Sequence, residues 1–198
     1  MIPPPQQQRS GRRQLLLIAS VFFVPLAAAT WLYFSGGWRP AVGMQHGVLV
    51  DPPRPLPALA LRQPDGSPSA PDVLRGQWFL VHVVAGRCNG HCLAVLTDLR
   101  QLRLALDKDA ARVRRVLLHD GACCDASFPA LEPDLLVLAA EGPQGAAFLG
   151  HFPAAADGAP GIYIVDPHGN LVMSYPATGA FRGLLKDLER LLRLSNIG

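Results

Sequence analysis

Twenty consecutive residues without a charge, Leu15 to Phe34, constrain this chain more than any other feature. As a helix rising about 1.5 Å per residue they span about 30 Å, the thickness of a bilayer's hydrocarbon core. Arg9, Arg12 and Arg13 precede the run, and only Arg39 follows it closely. This asymmetry predicts a cytoplasmic N-terminus and export of everything beyond Trp38. Trp31, Tyr33 and Trp38 suit the outer interface, and Pro25 is tolerated in a membrane helix. Ala27-Ala28-Ala29 also resembles the small-residue site of a cleaved signal peptide, although an apolar run continuing to Phe34 is long for a signal. On either reading the remainder of the chain is exported.

The predicted organisation is a cytoplasmic tail (1–13), an anchor (14–35), an extracytoplasmic linker (36–57) and one domain (58–198). The tail is Pro- and Gln-rich and reads as disordered; the linker is Gly- and Pro-rich and reads as a tether. The net charge of +3 comes from sixteen Arg and two Lys that are scattered, with no basic run beside aromatics, so nucleic acid is not an expected partner. Beyond the linker, strand and helix patterns alternate. Strands are predicted at 58–62, 77–84, 113–119, 162–165 and 171–174, and helices at 89–107, 145–151 and 180–194; 135–139 fits a strand or a helix and is read as a short strand. Asp166-Pro167-His168-Gly169-Asn170 reads as a hairpin turn. Strands with interposed helices, then a hairpin and a closing helix, make an α/β layered domain.

Four cysteines form two close pairs, too few for a disulfide scaffold. In Val83-Val84-Ala85-Gly86-Arg87-Cys88-Asn89-Gly90-His91-Cys92, a buried strand runs through a Gly-containing loop into a helix. Cys88 then stands at the helix N-terminus, where backbone N–H groups favour a thiolate, with Arg87 and His91 adding to the effect. Cys92 lies one turn deeper on the same face. Such a pair can close a disulfide or grip a soft metal ion. Cys123-Cys124 follows the strand 113–119 and is expected on the same sheet edge as Cys88. Adjacent cysteines rarely pair with each other, so these two read as extra ligands, as a resolving thiol for Cys88 or Cys92, or as coincidence.

These residues resemble the membrane-anchored thioredoxin-like superfamily, which includes TlpA/ResA-type thiol oxidoreductases and Sco/SenC-type copper chaperones. The likeness covers about Leu56 to the C-terminus and implies an α/β thioredoxin-like fold, a central mixed sheet flanked by helices, preceded by one N-terminal transmembrane helix. Gly158-Ala159-Pro160-Gly161-Ile162 is similar to the segment that supplies a cis-proline beside the dithiol, which gives Pro160 that role. Three residues separate Cys88 from Cys92, as in the Sco type, whereas the oxidoreductases have two. The Sco pattern has Pro after the second Cys, where Leu93 stands here. It also has a His before the last core strand, and Asp157 or Gly158 occupies that place. His151, seven residues upstream of Gly158, is the substitute candidate; His91 and His168 are weaker ones.

The resemblance implies an inner-membrane protein, its C-terminal domain in the periplasm, that assists cytochrome c oxidase biogenesis. It would act by Cu(I) handling or thiol redox maintenance through Cys88 and Cys92, with His151, Cys123 or Cys124 as further copper ligands. Its partner would be a copper-containing oxidase subunit or another exported thiol protein. Two other readings stay open: a general thiol–disulfide oxidoreductase of the cytochrome c maturation type, and a non-catalytic binding module.

Overall fold

The computed structural model describes residues 5–35, 45–121, 123–124, 134–154, 161–195 and 197, with the backbone alone for 5–10. The chain divides into two compact units, Met1–Gly43 and Met44–Gly198.

The first unit is helix α1 (Pro5–Ser35), of which Gly11–Ser35 is long and apolar enough to cross a membrane. Its hydroxyls turn back onto the helix: Ser20 donates to the Leu17 carbonyl (2.9 Å) and Thr30 to that of Leu26 (2.6 Å). Such internal satisfaction is what a lipid environment requires. The segment read as a disordered tail is instead helical from Pro5 onward. Proline is accepted at a first helical position, and an apolar helix once nucleated propagates cheaply into its flank.

The second unit is a six-stranded mixed sheet built from β1 (Val48–Pro55), β2 (Trp78–Val84), β3 (Val113–His119), β4 (Leu135–Ala139), β5 (Ile162–Val165) and β6 (Asn170–Tyr175), in the order β1-β6-β5-β2-β3-β4. β2, β3 and β4 run parallel, while β5 is antiparallel to β2 and to β6. Helices α2 (Gly90–Ala105), α3 (Gly142–Leu149) and α4 (Phe181–Leu194) complete the layers. β2 is apolar on both sides because both are covered. Phe79 and Val81 pack with Val116, Leu118 and Phe148 on one face; Leu80 packs with Leu99, Ile164, Leu184 and Leu188 on the other. This is the thioredoxin-like arrangement that the sequence predicts.

Two boundaries differ from the sequence reading. Part of the segment read as a linker lies outside the described residues, but Val48–Pro55 is a strand, antiparallel to β6 with Val48 opposite Ser174 and Arg54 opposite Leu171. It sits at the sheet's edge, where proline's missing N–H costs no ladder bond, and the register shifts between Leu49 and Arg54 across Pro52-Pro53. Conversely, 58–62 is no continuous strand: Arg62 alone bridges, to Pro68 and Ala139.

Candidate functional site

β2 and β3 end side by side, with Val84 opposite His119, so the loops that leave them share one sheet edge. In the first loop Gly86 adopts φ +77°, a region that β-carbons disfavour, and its N–H donates to Asp120 Oδ2 at 3.0 Å. The chain then enters α2, which Asn89 caps by accepting from the Cys92 N–H at 3.1 Å. Cys88 stands just before this cap and is half-buried; Cys92, in the first turn, is buried. The two are joined in a disulfide, their Cα atoms 5.2 Å apart. The more open sulfur therefore sits at the helix entrance and the closed one beneath it.

Cys123 and Cys124 are also bonded, and to each other. This corrects the expectation that neighbouring cysteines stay apart. Cys124 takes the left-handed φ of +65° at this link. Cys123 is buried in one apolar cluster with Cys92, Val84, Leu96, Leu117, Leu135 and Val137, and Cys88 and Cys124 pack against that cluster. All four sulfurs thus border the same dry region.

Beside Cys92 opens a pocket of about 190 Å³ lined by His82, Val84, Arg87, His91 and Thr178, among others. His82 is the one ionisable side chain in β2 and is almost wholly buried. Its Nδ1 lies 3.3 Å from the Gly161 carbonyl. Burial pushes its pKa down to about 4, against the raising effect of that carbonyl and with a small further lowering from His91. In the sequence His82 is visible as a lone ionisable residue in an otherwise apolar strand. Nothing in the sequence reveals the bond between Asp120 and Gly86.

The other expected residues fare differently. Pro160 lies outside the described residues. His151 follows α3, half-buried, and is not part of the pocket beside Cys92. Among the described residues no three His, Cys, Asp or Glu side chains gather to hold a metal ion.

A family profile described as transmembrane-like, thioredoxin-like, C-terminal domain matches residues 78–195, and its transmembrane-like N-terminal companion matches 4–36. The chain belongs to this family. No curated protein sequence matches it. Among solved structures it is similar to apo Sco1 from Thermus thermophilus, at 22% identity and TM-score 0.57, covering 76% of this chain and 99% of that one. The copper-bound ScoI of Arabidopsis thaliana matches at 17% identity and TM-score 0.54, over 72% and 98% of the two chains. A thiol peroxidase from Chromobacterium violaceum matches at 14% and 0.55, over 71% and 86%. At these identities the likeness establishes the thioredoxin-like fold. The α1 span and the matching N-terminal profile make the family member a single-pass membrane protein.

Proposed function

We propose that this protein is a membrane-tethered thiol–disulfide protein of cytochrome c oxidase assembly that keeps the copper-site cysteines of an exported oxidase subunit reduced. The observation that carries the reading is the Cys88–Cys92 pair, one sulfur half-open at the helix entrance and the other buried behind it. In the reduced protein the Cys88 thiolate attacks a disulfide of the partner and forms a mixed disulfide, releasing one partner thiol. Cys92 then attacks Cys88, closes Cys88–Cys92 and releases the second thiol. Two electrons and two protons pass to the partner. Free N–H groups in the first turn of α2 stabilise the Cys88 thiolate whenever it is the leaving group.

The same two sulfurs, once reduced, are soft donors one helical turn apart and fit Cu(I) carried as cargo. The copper-bound Sco neighbour, together with the Sco-like spacing of Cys88 and Cys92, supports this second use. Arg9, Arg12 and Arg13 support placing the anchor in the inner membrane with the domain in the periplasm.

In cells, Cys88→Ser or Cys92→Ser should lower cytochrome c oxidase activity, and Cys92→Ser should accumulate a mixed disulfide with the copper subunit. The reduced full-length protein in detergent should bind one Cu(I), and either substitution should abolish binding. Full oxidase activity in cells carrying both substitutions would sink the reading.

A further inference from the structure

We propose that Cys123–Cys124 is a second redox couple that exchanges internally with Cys88–Cys92, so that the domain holds two electron pairs instead of one. The inference rests on the thiol chemistry proposed for Cys88–Cys92. A structural disulfide stabilises chiefly by closing a loop and so restricting the unfolded chain. A bond between residues one apart closes essentially no loop, so stability does not account for it. Its position suggests another purpose. The loops after β2 and β3 leave one edge together, and the Gly86 N–H to Asp120 bond staples them two residues before Cys88 and three before Cys123. Cys92 and Cys123, the two buried sulfurs, lie in the same apolar cluster, closed to outside thiols. Cys88 and Cys124, at its border, are the two more open ones.

This arrangement sets the order of steps. With Cys88–Cys92 oxidised and Cys123 and Cys124 reduced, the Cys123 thiolate attacks the Cys92 sulfur. The Cys88–Cys92 bond breaks, a Cys92–Cys123 bond forms, and Cys88 leaves as a thiolate beside the α2 N-terminus, where it is stabilised and takes up a proton. Cys124, having given up its proton, then attacks Cys123, closes Cys123–Cys124 and releases Cys92. One disulfide is reduced, two thiols are oxidised, and no third reagent enters. Cys88 emerges reduced and accessible, ready for a second partner disulfide.

The test uses the detergent-solubilised full chain, reduced with dithiothreitol and desalted, with oxidised glutathione as acceptor. The wild type should reduce two equivalents, and Cys123→Ala/Cys124→Ala one equivalent at the wild-type initial rate. Cys88→Ser should show no fast phase, because Cys88 is the half-open thiol activated at the α2 N-terminus. A wild type that stops at one equivalent overturns this inference and leaves the proposed function standing; one that transfers none overturns both. A fast phase surviving in Cys88→Ser also overturns it, since Cys123–Cys124 would then react directly. In Cys88→Ser/Cys124→Ser, mild oxidation should join Cys92 to Cys123 within one molecule. Peptide mapping that finds both thiols free in the folded variant overturns the exchange.

Discussion

The Gly86 N–H donates to the Asp120 carboxylate across 3.0 Å and fixes the loop that presents Cys88 against the loop that carries Cys123 and Cys124. A charge-assisted bond at a partly open site contributes about 1 kcal/mol. Asp120→Ala should lower stability by that order and slow delivery of the second electron pair, while Asp120→Asn, which keeps an oxygen acceptor, should do neither. Urea unfolding of the three proteins in detergent measures the first effect and glutathione titration the second. Equal behaviour of all three would show that the staple holds nothing.

His82 makes the fold acid-sensitive. Its folded pKa of about 4 lies below the ordinary 6.5 that it regains on unfolding. Between these values the unfolded chain binds a proton that the folded one refuses, so stability falls as pH drops from about 6.5 to about 4, by about 3 kcal/mol. Burial lowers the pKa of His119 as well, and it adds loss in the same direction. His82→Gln should flatten most of the slope of unfolding free energy across this window. An unchanged slope would mean that His82 is not the group responsible.

The parts of the fold legible in the sequence are those where one periodicity dominates. β3 and β5 lie where the apolar runs put them, and Cys92, Leu96, Leu99, Leu102 and Leu106, spaced at helical intervals, are buried as a unit. β1 was not legible, because prolines carry a loop signal and only an edge position lets them join a sheet. The Cys123–Cys124 bond escaped because intrinsic preference argues against it and the surrounding cluster is assembled from β2, α2, β3 and β4, far apart in sequence. The Cys88–Cys92 pairing was legible because strand, loop and helix entry are consecutive.

Two leucines on α2 separate core from surface. Leu99 is fully buried, whereas Leu93, next to Cys92, is 45% exposed. Leu99→Ala should cost about 3 kcal/mol through lost burial and the cavity left behind. Leu93→Ala should change stability by less than about 0.5 kcal/mol. Under the proposed function, however, Leu93→Ala should weaken mixed-disulfide formation with the partner. Chemical unfolding beside the Cys92→Ser trapping assay distinguishes the two effects, and a large stability loss from Leu93→Ala would contradict the exposed position.

The start of the second unit is held by one buried carboxylate. Asp187 on α4 accepts from the His46 N–H (2.6 Å), the Gly47 N–H (3.1 Å) and the Tyr175 hydroxyl (2.9 Å), and His46 Nδ1 lies 3.1 Å away. Burial alone would raise its pKa, but hydrogen bonds led by those from His46 prevail and hold it below the ordinary value. A depressed carboxyl stabilises above its unfolded pKa, so this contribution is present at neutral pH and lost only as pH falls below about 3.8. Asp187→Asn sets an amide against donors and should cost about 2 kcal/mol. Gly183→Ala reaches the same contact without touching the carboxylate, because a β-carbon there would collide with the His46 side chain. Both variants should free residues 46–48 and loosen the adjoining strand β1 from β6, giving a new protease cut near Val48 at neutral pH. Protection as strong as in the wild type, in both variants, would mean that β1 holds its place without Asp187.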